Sequence, residues 1–238
     1  MTWWLVAFVR EGSAAYLSHL DTTRALQRIF ARAGIELARS QGMRPKACIS
    51  LPLPLPVGAS GCDELAVVEV VDASIAPATA VAKLDAVAPP GIVPVGVTVV
   101  GERHPRPRAK RAEYTCHVRG DATALGSAVA RFAHEPQVIR ERVSPKGRRS
   151  LDLKEYVADT RVGPTADGVT LDFAIRHRAT GAARPQEYID LIAEWAEVEP
   201  VMHHLRRTRI TWENLPPATT VGAEGVGVCD ADEESVDR

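Results

Sequence analysis

The segment "ISLPLPLPVG", residues 49–58, constrains the fold more than any other. Prolines at 52, 54 and 56 remove every second backbone donor, all on one side of an extended chain. Such a strand can pair along one edge only, so it lies at a sheet border or leaves the sheet there. Leu51, Leu53 and Leu55 then share the opposite set of side-chain positions and are expected to face the core.

The elements around this segment follow a recurring order. "WWLVAFVR" reads as a buried strand, and Ser18 caps a helix running to about Ala33. "KACISLPL" and "ELAVVEVV" are strands, with a short "IELAR" before them. "APATAVAKLDAVA" is a helix and "IVPVGVTVVG" a strand. With "IELAR" set aside, the order is β-α-β-β-α-β, the split βαβ or ferredoxin-like pattern. After the Pro- and Arg-rich linker (residues 102–112) the same grammar returns. "YTCHVRG" is a strand, "ATALGSAVARFA" a helix, "QVIRERV" a strand, "SPKGRRS" a basic turn and "DLKEYVA" a short helix. "VTLDFAIRHR" is an alternating strand, "RPQEYIDLIAEWA" a helix with Pro185 near its first turn, and "HLRRTRITWE" a last strand. The expectation is an α+β chain of two ferredoxin-like lobes in tandem, residues 1–101 and 113–214. Each would be an antiparallel sheet with helices on one face. The alternative is a single mixed α+β domain. No sequence repeat links the halves, so the duplication is one of pattern.

Charge is unevenly spread. Residues 101–210 hold 20 Lys and Arg against 15 Asp and Glu, whereas residues 211–238 hold 1 against 7. The acidic, Gly-rich stretch at 215–238 has almost no large apolar groups, so it is expected to be a disordered tail. Cys48, Cys62, Cys116 and Cys229 lie far apart with no C-x-x-C pair. That argues against a disulfide framework, a zinc knuckle or a cysteine-bound cluster, and fits a reducing, cytoplasmic compartment. No signal peptide is recognisable, and no run approaches the ~20 apolar residues of a membrane span.

In "YLSHLDTTRALQRIF", residues 16–30, Leu26, Ile29, Phe30 and Ala33 form an apolar stripe opposed by Arg24, Arg28 and Arg32. Ser18 and Asp21 make a Ser-x-x-acid capping box, so their first role is structural. His19 is not needed for capping. Placed half-buried over the apolar stripe, it would be a neutral base or simply a satisfied core residue. The following "RSQGMRPKA" carries Arg39, Gln41, Arg44 and Lys46 on a turn bracketed by Gly42 and Pro45. Such a turn can hold phosphate or carboxylate, or merely link two strands.

These residues resemble the N-terminal signature of the radical-SAM-linked protein family, a domain of unknown function found beside or fused to cobalamin-binding-type radical SAM proteins. The similarity rests on the Leu-Ser-His-Leu-Asp at 17–21, Arg24, the Ser-Gln-Gly-x-x-Pro turn at 40–45, and the Pro-Leu-x-Val-Gly at 54–58. It is specific over about residues 5–72 and weaker in "KGRRSLDLKEYV", "ARPQEYID" and "RRTRITWE". Met43 stands where the family places an aromatic. The resemblance implies a radical SAM protein as partner, with this chain as an accessory. No Cys-x-x-x-Cys-x-x-Cys is present, so the chain cannot hold that enzyme's cluster.

The sequence leaves three readings open. The first is a binding module that presents an anionic substrate, such as RNA, in a basic cleft between lobes. Its ligands would be Arg24, Gln41, Arg44, Lys46, Lys146, Arg148, Arg149, Arg184, Arg207 and Arg209. The second is an RNA-processing or RNA-modifying enzyme with His19 as general acid or base and Asp152 or Asp21 as its carboxylate. Asp152 has a plainer role available as a helix cap, and a metal version would add His203 and His204. The third is a purely structural docking subunit. Neither a resident metal nor a cofactor is expected.

Overall fold

The computed structural model describes residues 2–72, 74–101, 104–118, 120–144, 147–165, 168–198 and 204–216. Lys146, His203 and most of the acidic tail (217–238) lie outside the described residues.

The chain opens with β1 (Thr2–Arg10), whose last seven residues are all buried. A strand so apolar on both faces must be central, and β1 pairs antiparallel with β3 (Ala59–Val70) on one side and β4 (Ile92–Val100) on the other. β2 is only Ile49–Ser50, paired with Val67 and Val68 of β3. The sequence suggested a longer strand, but the prolines strip its donors and the chain leaves the sheet directly after Ser50. The first half therefore runs β4-β1-β3-β2, all antiparallel.

The second half contributes β5 (Arg108–Val118), β8 (Val157–Thr165), β9 (Gly168–Arg176) and β10 (Leu205–Glu213), in the order β10-β5-β9-β8 and again antiparallel. The short β2 leaves the start of β3 unpaired, and β10 fills that edge: Leu205, Arg206 and Arg207 run parallel to Ala59, Ser60 and Gly61. In place of two separate sheets there is one eight-stranded sheet, antiparallel except at this seam.

Four α-helices are present among the described residues. α1 (His19–Arg32) and α2 (Pro77–Asp85) cover one core, where Trp4, Val6 and Phe8 meet Leu26, Ile29 and Phe30. α3 (Ala122–His134) and α4 (Pro185–Ala196) cover the other, with Phe132 edge-on to the buried Tyr188 at 4.9 Å between ring centroids. Leu51 packs against the first core while Leu53 and Leu55 pack against the second, so the proline segment stitches the halves together.

Several local expectations change. β5 begins at Arg108, so part of the 102–112 linker is sheet. "QVIRERV" supplies β6 (Ile139–Ser144), and the expected basic turn "SPKGRRS" supplies most of β7 (Gly147–Asp152); the two pair as a hairpin apart from the main sheet. β8 escaped the sequence reading because a bulge between Ala158 and Arg161, with Asp159 at φ 49°, and then Gly163 and Pro164 break its alternation. "DLKEYVA" gives only a one-turn 3-10 helix at Leu153–Glu155. Among the described residues, no helix is long and apolar enough to cross a membrane.

Candidate anion-binding site

Ser18 caps the start of α1, but the reciprocal half of the expected capping box differs: Asp21 takes the Ser18 hydroxyl and not a backbone amide. Ser18 Oγ accepts from the Asp21 N–H at 3.2 Å and donates to Asp21 Oδ2 at 2.7 Å. Arg24 donates to Asp21 Oδ1 at 3.3 Å. The Ser18 hydroxyl, helped by Arg24, holds the Asp21 carboxyl below its ordinary range. His19 is not half-buried: residues 19–21 all stand exposed, because the first turn projects beyond the packed surface. Asp21 is committed to Ser18 and Arg24, so the proposed His19–Asp21 acid–base pair is not assembled.

Further along, α1 and the 34–47 segment enclose a groove of about 880 Å³. Ile35 and Leu37 give it an apolar floor, and the exposed Leu20 lines it with Arg24, Arg39 and Lys46. Glu36 is the one acid among the residues that line it. The turn is held shut by backbone: Ser40 N–H donates to Lys46 O at 2.8 Å, and Lys46 N–H to Ser40 Oγ at 3.1 Å. Gly42 at φ 134° turns the chain where a side chain would be strained. Arg39 and Lys46 form no ion pair with any described acid, which leaves two cations available to a ligand. Gln41 and Arg44 are exposed on the same turn.

The remaining basic residues sit elsewhere and are mostly engaged. The β6–β7 hairpin docks on the start of α4, where Arg142 grips Glu187 with two hydrogen bonds of 2.7 Å. Arg149 Nη2 donates to Thr180 O at 2.7 Å, and Arg148 lies 3.7 Å from Glu141. Arg184 is the N-cap residue of α4, its backbone N–H donating to Glu187 Oε2 at 2.8 Å. Asp152 Oδ1 accepts the N–H groups of Val138 and Lys154, both at 3.0 Å, so it caps the one-turn helix instead of facing a substrate. His204 lies edge-on to His117, with 6.0 Å between centroids. Among the described residues, no group of three or more His, Cys, Asp and Glu is placed to hold a metal ion.

Arg207, expected from sequence to contact a ligand, lies in the interior. It is fully buried, and both Nε and Nη2 donate to the Glu64 carboxylate; Nη2 also reaches Leu53 O at 2.8 Å. A ligand cannot reach it. A bulge between Arg207 and Arg209 separates their directions, leaving Arg209 exposed. Burial works against the Arg207 charge, but Glu64 and Tyr114 together more than offset it. Arg10 lies in the same interior and donates to Thr22 Oγ1, Pro56 O and Ala59 O at 2.9, 2.8 and 3.1 Å, tying the proline segment to α1. Asp63 accepts the Ile210 N–H at 2.6 Å, while its Oδ1 is buried without a partner; burial pushes its pKa up to about 6.

His177, at the end of β9, was not singled out from sequence. Its Nε2 is buried with no hydrogen-bond partner, and burial together with the Arg207 charge lowers its pKa to about 4. The available signal was its position two residues after the core residue Ile175.

No curated protein matches the chain. Among solved structures, a chain of a Cbf5–Nop10–Gar1 complex is similar with a TM-score of 0.45 and 18% identity, covering 87% of this chain and 48% of that one. The protein thus spans about half of that chain's length. An unknown protein from Galdieria sulphuraria is similar with a TM-score of 0.22 and 10% identity, over 90% of this chain and 98% of that one. Both scores fall below 0.5 and support no inference. Residues 4–185 match one family model throughout, and the chain belongs to DUF2344, uncharacterized proteins conserved in bacteria.

Proposed function

We propose that this chain is a binding module that holds an anionic partner, RNA, along the α1 groove and works beside a radical SAM protein. The observation that carries the reading is the groove's charge: Arg39 and Lys46, in no ion pair with a described acid, and Arg24, shared with Asp21, line it against Glu36. Phosphates would follow the cations, while base faces would make apolar contact with Leu20 and Leu37. The radical SAM partner is supported by the Leu-Ser-His-Leu-Asp and Ser-Gln-Gly-x-x-Pro resemblance. The β4-β1-β3-β2 and β10-β5-β9-β8 orders support reading each half as a ferredoxin-like unit. Cys48 and Cys116 as thiols fit a reducing cytoplasm.

The test is single-stranded RNA binding, followed by fluorescence anisotropy between about 50 and 200 mM salt. The Arg39→Glu/Lys46→Glu protein should bind at least about tenfold more weakly. Its negative slope of log affinity against log salt should become shallower by roughly 1.4, since each lost phosphate contact on a single strand accounts for about 0.7. Unchanged affinity in that variant would remove the groove from the account.

A further inference from the structure

The sheet forks where β10 pairs with the start of β3 and β2 with its end. The fork holds a second cavity, of about 370 Å³. Ser50, Leu53 and Val67 wall it from one half and His177 from the other, with Arg106 and Arg108 also lining it. It lies across the sheet from the α1 groove: Val67 belongs to the small core on the face opposite the one where Val68 packs toward α1.

Three observations point to a ligand. The volume falls at the lower end of small-molecule sites, which run to roughly 300–1,000 Å³. Arg106 and Arg108 are exposed and pair with no described acid; the Arg106 guanidinium sits 5.4 Å from the Trp3 ring centroid, which positions it. His177 Nε2 has no partner although it is buried, and buried polar groups are nearly always satisfied. The walls between these groups are apolar side chains, suited to a flat face.

We propose that the fork cavity binds a small flat anion, an unsaturated ring bearing one carboxylate or phosphate. The anionic group would lie between Arg106 and Arg108, where guanidinium forks match two oxygens. The ring would rest on Leu53 and Val67, with a ring heteroatom or hydroxyl reaching His177. This goes beyond the α1 groove and does not depend on it. A mononucleotide and a free aromatic acid both carry this chemistry.

The test titrates the full chain with uridine 5′-monophosphate, benzoate and inorganic phosphate, read by calorimetry and by the nitrogen signals of the His177 ring. At least one flat anion should bind saturably and move those signals, and inorganic phosphate should bind about tenfold more weakly or worse. Tighter binding of the nucleotide assigns the site to nucleotides; tighter binding of benzoate assigns it to aromatic acids. Arg108→Ala, a change at an exposed side chain, should weaken the flat anion about tenfold or more, as one lost charge-assisted bond implies. Arg39→Glu/Lys46→Glu should leave it unchanged, so this site and the RNA groove fail separately. The proposal is overturned if no flat anion saturates, if all three anions bind equally, or if the Arg106→Ala/Arg108→Ala protein binds as well as the parent.

Discussion

Replacing Glu64 by Leu should destabilise the chain by about 3–5 kcal/mol, because it leaves a fully buried guanidinium without its counter-charge. Glu64 and Arg207 are 4% and 0% exposed, and they join β3 to β10 across the seam between the halves. Arg10 lies near enough for both charges to act on it. That makes the two single changes unequal. Removing Glu64 leaves two buried cations repelling each other, whereas Arg207→Met leaves Glu64 with Arg10 still at hand, so its loss should be the smaller. The double variant Glu64→Leu/Arg207→Met should recover part of the loss, since an apolar pair leaves no orphan charge from this bridge. Denaturant unfolding of the four proteins gives the coupling energy. Single variants within about 1 kcal/mol of the parent, the range of an exposed ion pair, would show that the seam does not hold the halves.

Asp63 and His177 should pull the pH dependence of stability in opposite directions. Asp63 has a folded pKa of about 6 against an ordinary 3.8, so the folded chain takes its proton first. Its contribution is fully present below about pH 4 and is lost as pH rises through 6. His177 has a folded pKa of about 4 against an ordinary 6.5, so the unfolded chain takes its proton first. Its contribution is present above about pH 6.5 and is lost as pH falls toward 4. Each shift corresponds to a change on the order of 2–3 kcal/mol across the window. In the parent the two effects largely cancel. The Asp63→Asn protein should therefore lose stability on acidification from pH 6.5 to 4, and the His177→Gln protein should gain it. Parallel profiles for the two variants would contradict the buried environments of both groups.

The first half was legible because its signals are local. An apolar run, a Ser-x-x-Asp cap and alternating prolines each act within a few residues, and β1, α1 and the exit of the chain after β2 follow from them. The joining of the halves was not legible. It depends on Leu205–Arg207 finding an edge of β3 that β2 is too short to cover, a pairing separated by over a hundred positions. The same distance explains the reading of Arg207 as a ligand residue. In "LRRTRITWE" nothing distinguishes an arginine turned toward Glu64 from one turned to solvent until the bulge after Arg207 is known. The basic turn at 39–47 was recognisable from composition, but its enclosure against α1 needed the bridge between Arg39 and Ala47. Lys46 and Arg24 line one groove, while Arg148, Arg149 and Arg184 serve the hairpin end of the other half. No pattern in the sequence separates these sets.

The proposed binding module would hold RNA in the α1 groove. The direct measurement is photo-crosslinking of a uridine-analogue RNA to the full chain, with adducts mapped by mass spectrometry. Adducts concentrated on α1 around Leu20 and Gln27 and on the turn from Arg39 to Lys46, and fading as salt rises, are the predicted result. Adducts confined to the β6–β7 hairpin, or none at any salt, would contradict it.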